Sequence, residues 1–211
     1  MKKIILSIIR FSSKIVALIF PYSLSNKLKW LRNNSYTYWI TSKFKYFGNN
    51  SVIIYPSTVR GQEYISIGDN TTIGARTILT AWDKYEGYQF KPEIVIGNNV
   101  SIGEDCHITA INKIEIRDDV LMGKKITITD NAHGESQFNL LSLPPIKRPL
   151  YSKGPVIIGE RVWIGDKATI LAGVSIGRNS IIGANALVTK DIPENCVVGG
   201  IPARIIKKLI E

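Results

Sequence analysis

Aliphatic side chains recur every six residues through most of this chain. Ile67, Ile73 and Leu79 open the series, and Ile96, Ile102 and Ile108 continue it. Ile116, Met122 and Ile128 follow, and then Ile158, Ile164, Ile170, Ile176, Ile182 and Val188 run without a break. Glycine often takes the next position, as at Gly159, Gly165, Gly177 and Gly183. Two residues before each aliphatic there is usually a small or β-branched side chain, such as Thr71, Val100, Cys106, Ala168 or Ser180. A period of six matches neither a helix nor a plain alternating strand. It matches a short extended segment that turns a corner and repeats, with glycine easing the bend. Equal residues of stacked coils then form internal ladders, the signature of a hexapeptide β-helix. Fifteen ladder positions, at three faces per turn, predict about five coils.

Two stretches leave this rhythm. The loop 80–95 contains an aromatic and charged stretch (TAWDKYEGYQFKPE), and residues 130–155 include LSLPPIKRPLYSKGP. In a solenoid such insertions project from corners onto a binding face. The pattern divides the chain into an N-terminal helical segment (1–48), a β-helix domain (49–200) and a short basic C-terminal helix (201–211) capping the stack.

Charge sharpens the first of these divisions. The formal net charge is +10, yet residues 1–62 hold ten Lys or Arg and no acid, and the remainder is balanced. The basicity is therefore local, which argues against a nucleic-acid-binding core. Arg10 and Lys14 interrupt the apolar opening, and its longest uncharged run, Ile15 to Asn26, contains Pro21. That excludes a membrane span of about 18 apolar residues. Lys3, Ser7, Arg10 and Lys14 share one helical face, opposite Ile, Leu, Val and Phe. Two readings of residues 1–20 stand open: peripheral contact with an anionic membrane, or packing on the chain's own domain or a sister subunit. Two cysteines form neither a disulfide framework nor a metal spacing, which points to a reducing cytoplasm.

The segment VIIGERVWIGDKATILAGVSIGRNSIIGANALVTKDIP, followed by GGIPARIIKK, resembles the C-terminal half of galactoside and maltose O-acetyltransferases. These belong to the hexapeptide-repeat acyltransferase superfamily, and the resemblance covers roughly residues 62–208. KYFGNNSVIIYPSTVRGQEYISIGDN and the basic N-terminus are more similar to the branch that acetylates capsular, O-antigen or exopolysaccharide sugars. The resemblance implies an all-β solenoid, namely a left-handed parallel β-helix, assembled as a homotrimer with active sites between neighbouring prisms. It implies acetyl-CoA as co-substrate, no metal, and a sugar or oligosaccharide as acceptor. Zinc chemistry of the γ-class carbonic anhydrases needs three histidines, and this chain has two.

Acetyl transfer to a hydroxyl needs a base, and histidine titrates near neutrality. His133 lies five residues past Ile128, where the ladder stops, and the resemblance places the catalytic histidine there. Asp130 is a candidate to orient it, to contact the acceptor or to form a local turn. Asn112 matches an acceptor-holding asparagine only across a gap in the alignment. His107 sits inside the ladder, with a structural role or one near the sugar. Trp82 and Asp83, in the first insertion, are acceptor candidates. For coenzyme A the resemblance implies Trp163, Gly165, Asp166, Gly183 and Ala184 along the pantetheine arm, with Asp166 standing where serine is usual. Thr189, Lys190, Arg204 and Lys207 match positions that hold the nucleotide phosphates. N-acyl transfer to an amino-sugar or small amine is the enzymatic alternative. A non-catalytic β-helix scaffold is the other class.

Overall fold

The computed structural model of the protein describes residues 1–134 and 142–209. Residues 135–141 of the second insertion and residues 210–211 of the tail lie outside the described residues. The body is a parallel three-sheet β-helix. Its first coil contributes Tyr46–Phe47, Val52–Ile53 and Thr58–Arg60 to the first, second and third faces. The next coil lays Ile65–Ile67, Thr72–Ile73 and Ile78–Ala81 beside them in parallel register. The sixth coil is Ser175–Ile176, Ile181–Ile182 and Leu187–Val188. Ile192, bridged to Ile176, and Cys196–Gly199 then begin a seventh.

The stack is thus one coil longer than the ladder predicts. Phe47, Ile53 and Val59 keep the spacing of six, but the end coil has a coil neighbour on one side only. Its Phe47 and Val59 are half-buried, and helix α2 (Tyr22–Thr41) covers its open edge. There the Ile53 amide donates to Thr37 Oγ1 at 3.0 Å, and that hydroxyl lies 3.1 Å from the Ile53 carbonyl. In the middle of the stack each ladder position is dry. Ile73, Ile102, Met122, Ile164, Ile182 and Val198 share one column and are all buried. Each such side chain contributes about 1.5–3 kcal/mol of burial.

The corners correct one expectation. The glycines that follow the ladder residues do not make the bend, since none of Gly68, Gly97, Gly165 or Gly183 has positive φ. The bend is made two residues later by non-glycine residues in the left-handed region, such as Asn70, Asn99, Lys167 and Asn179. Glycine is required because consecutive coils touch there. A Cβ on Gly165 would lie 2.7 Å from the Ala184 amide nitrogen of the next coil. Asx side chains tie the same corners together. Asn98 accepts from the Asp69 amide, and Asp118 from the Asn98 amide, each at 2.8 Å.

The expected C-terminal helix is absent. Arg204–Lys208 is a strand, antiparallel to Cys196–Gly199. Gly200, with φ of 97°, turns the chain back onto the last open edge of the second face. Pairing there satisfies backbone groups that a helix of two turns would leave to solvent. At the other end α1 (Lys2–Ile19) buries no residue, so packing on the chain's own domain is not how its apolar face is covered. Among the described residues no single helix is long and apolar enough to cross a membrane.

Candidate active site

Both insertions leave the stack at the same corner, between the third and first faces. The first departs after Ala81 and the second after Asp130, with the turn Ile111–Asn112 of the intervening coil between them. Asp130 creates this corner. Its carboxylate is fully buried and accepts from the amides of Ile111 at 2.9 Å and Asn112 at 2.8 Å. Asn131 Nδ2 donates to it at 3.0 Å and to the Thr109 carbonyl at 3.2 Å. Burial raises the Asp130 pKa against the opposing pull of these donors. The carboxylate that was a candidate acceptor contact therefore faces the fold. It holds two coils together just before the chain departs.

Beyond it, Ala132–His133 pairs antiparallel with Leu150–Tyr151, His133 opposite Leu150. His133 is exposed on this short hairpin. The Tyr85 ring meets its imidazole edge-on, with centroids 5.3 Å apart. Tyr85 belongs to the hairpin of the first insertion, Lys84–Tyr85 with Tyr88–Gln89. Its hydroxyl donates to the Ile146 carbonyl at 2.8 Å, and Lys147 pairs with Glu86 at 2.8 Å. The two insertions thereby clasp each other across His133. Trp82 continues the wall, 6.3 Å from Tyr85 and covered by the Arg60 guanidinium at 3.8 Å. Asp83 accepts from the Tyr64 hydroxyl at 3.4 Å. Asn112 is exposed between the two insertions, its side chain 3.5 Å from Ser152 Oγ. Trp82, Asp83, Asn112 and His133 thus gather at one corner.

His107 points outward from the third face, in register with Ile78 and Thr127. Partial burial lowers its pKa, which favours the neutral ring. Sequence reasoning missed Arg60, Tyr85, Glu86 and Lys147. The only signal was the aromatic and charged composition of the first insertion, which does not say which ring reaches the histidine.

The residues matched to the pantetheine arm of coenzyme A lie on another edge of the prism. Trp163 points outward from the second face between Leu121 and Ile181, and 51% of it is exposed. Gly165 and Asp166 lie at the corner between the second and third faces, and Gly183 and Ala184 lie there one coil later. Asp166 Oδ1 accepts from the Lys124 amide at 2.8 Å, so its carboxylate clips the preceding coil. Thr189 and Lys190 follow the last third-face strand, while Arg204 and Lys207 lie on the returning C-terminal strand. Within one chain, the pantetheine-arm residues and the His133 corner stand on different edges, whereas Thr189 and Lys190 continue the edge of that corner two coils later. No group of three His, Cys, Asp or Glu among the described residues is placed to hold a metal ion.

Comparison with known proteins accords with this architecture. Residues 155–190 match the family described as bacterial transferase hexapeptide (six repeats), and residues 64–80 match the hexapeptide repeat of succinyl-transferase. A putative lipopolysaccharide biosynthesis O-acetyl transferase of Escherichia coli is 35% identical over 77% of this chain and 81% of its own length. The galactoside O-acetyltransferase of the same organism is 32% identical over 74% and 72%. Among solved structures, a maltose O-acetyltransferase of Clostridium difficile has a TM-score of 0.52 at 30% identity, covering 80% of this chain and 72% of that one. A hexapeptide-repeat acetyltransferase of Vibrio cholerae, solved with acetyl coenzyme A, has a TM-score of 0.59 at 23% identity, covering 90% and 87%. With the coil stack and the two relatives aligned over most of their length, the chain belongs to the hexapeptide-repeat acetyltransferase family.

Proposed function

We propose that the protein transfers an acetyl group from acetyl-CoA to a sugar hydroxyl in surface polysaccharide biosynthesis, with His133 as general base. One observation carries the reading: an exposed histidine is held by an aromatic neighbour at the corner where both insertions leave the stack. His133 takes the acceptor hydroxyl proton as that oxygen attacks the thioester carbonyl. The tetrahedral intermediate expels the coenzyme A thiolate, which receives the proton back from the imidazolium. A base of this kind contributes about 10²- to 10⁴-fold, roughly 3–5 kcal/mol of barrier. No covalent enzyme intermediate and no metal are required.

The acceptor lies against Trp82, Asp83 and Asn112, and a depression beside them lined by Lys43, Arg60, Gln62, Glu63, Ala81 and Asp83 adds polar contacts. Asp130 acts from below, by fixing the corner. Coenzyme A runs along Trp163, Gly165, Asp166, Gly183 and Ala184, with Thr189, Lys190, Arg204 and Lys207 at its phosphates. Asp166 contributes backbone there, because its carboxylate is engaged by Lys124. Since that edge and the His133 corner are separate in one chain, the complete site is formed between copies of a left-handed β-helix homotrimer. The free, buried Cys106 and Cys196 support a reducing, cytoplasmic setting.

The names of the two curated relatives support an oxygen rather than a nitrogen acceptor. Incubating the protein with labelled acetyl-CoA and a panel of sugars, lipid-linked oligosaccharides and amino-sugars tests the reading. Base-labile label on a sugar hydroxyl is expected. Label confined to amines would replace the reading with N-acyl transfer, and no transfer with no coenzyme A binding would leave a scaffold.

A further inference from the structure

Helix α1 is a large unpartnered surface. All eighteen of its residues are exposed, among them Ile4, Ile8, Phe11, Ile15 and Ile19 along one side. At 100° per residue these fall within one broad arc with Ile5 and Val16, while Lys3, Ser7, Arg10 and Lys14 occupy the opposite one. A helix whose apolar side is that wide does not stay in water without a cover.

The charge pattern selects the cover. Lys2, Lys3, Arg10 and Lys14 on α1, with Lys27, Lys29 and Arg32 on α2, are all without a carboxylate in ion-pair reach among the described residues. Residues 1–62 contain no acid, so the same segment of a second copy offers these cations only repulsion. Beyond the 56° bend at the α1–α2 junction, α2 exposes Trp30, Tyr38 and Trp39. Such amphipathic rings favour the boundary between lipid headgroups and acyl chains. Crossing the bilayer is disfavoured by Arg10 and Lys14 near the middle of α1.

We propose that α1 lies in the plane of an anionic lipid surface, with its isoleucine face among the acyl chains and its cations at the headgroups. Anchored this way, the β-helix stands off the membrane through α2, which is fastened to the first coil by Thr37, Tyr36 and Ile40.

Flotation of the full chain with vesicles tests this, using phosphatidylcholine alone and phosphatidylcholine mixed with phosphatidylglycerol. Binding is expected on the mixed vesicles, with each removed cation weakening it by roughly fivefold. Raising ionic strength from 0.1 to 1 M, where the screening length falls from about 10 to about 3 Å, should release much of the protein. Ile8→Glu/Ile15→Glu and Arg10→Gln/Lys14→Gln should each abolish or strongly weaken binding. Neither should shift thermal unfolding, because α1 buries nothing in the chain. Three results would overturn the proposal: no binding of the full chain to mixed vesicles, binding by both variants equal to that of the unsubstituted chain, or binding that ignores lipid charge. So would dissociation of the oligomer by Ile8→Glu/Ile15→Glu with vesicle binding intact, which would make this face an interface between copies.

Discussion

Asp130 and His133 are three residues apart and do opposite things. Asp130 is sealed in the corner with backbone donors from the coil below, and His133 is carried into the open on the hairpin that follows. An Asp–x–x–His spacing invites a catalytic dyad, but the burial of Asp130 makes it a brace. Asp130→Ala leaves the Ile111 and Asn112 amides without their acceptor. Each orphaned donor costs ~1–3 kcal/mol where it stays dry. Denaturant melts should therefore show the variant destabilised by more than an ordinary surface substitution. A midpoint equal to wild type would show that the corner holds without the carboxylate. His133 itself was legible in the sequence, because the ladder stops before it and the resemblance marks its place. Tyr85 was not, because its contact with His133 depends on how two insertions 48 residues apart fold against each other. No local pattern encodes that distance.

At the scale of elements, the six-residue period located strands well in the interior of the stack and poorly at its ends. Interior coils have neighbours on both sides, so each ladder position is a buried aliphatic. The first coil is closed by α2, so Phe47 and Val59 stay half-exposed and look less like ladder residues. The last is closed by Arg204–Lys208, whose paired isoleucines flanked by basic residues read equally as a short helix. Glycine was legible as a repeat marker, but its role was misread. Gly165 is set by contact with the next coil and Lys167, at φ of 60°, supplies the bend. Gly165→Ala should therefore destabilise by about 1–3 kcal/mol through overpacking. Lys167→Gly should be neutral or stabilising, because it relieves a left-handed residue of roughly 1–2 kcal/mol of strain. Thermal melts of the two variants check this, and the reverse order would return the bend to glycine.

For the whole molecule, the separation of the His133 corner from the Trp163 edge is the feature that matters most. A single prism holds the proposed base and the proposed pantetheine contacts apart, and in the proposed trimer neighbouring prisms bring them together. Mixed oligomers test the arrangement. His133→Ala and Trp163→Ala chains, each impaired alone, should regain activity when unfolded together and reassembled. A recovered site pairs the intact His133 of one chain with the intact Trp163 of another. Activity no greater than the sum of the two variants would place the whole site within one chain.

His133 is proposed to do chemistry rather than binding. The most direct test measures acetyl transfer and acetyl-CoA affinity together for His133→Ala. A general-base role predicts a loss of kcat of about 10²- to 10⁴-fold, with acetyl-CoA Kd close to that of wild type. A variant that transfers acetyl at the wild-type rate, or that loses activity only because acetyl-CoA no longer binds, would contradict it.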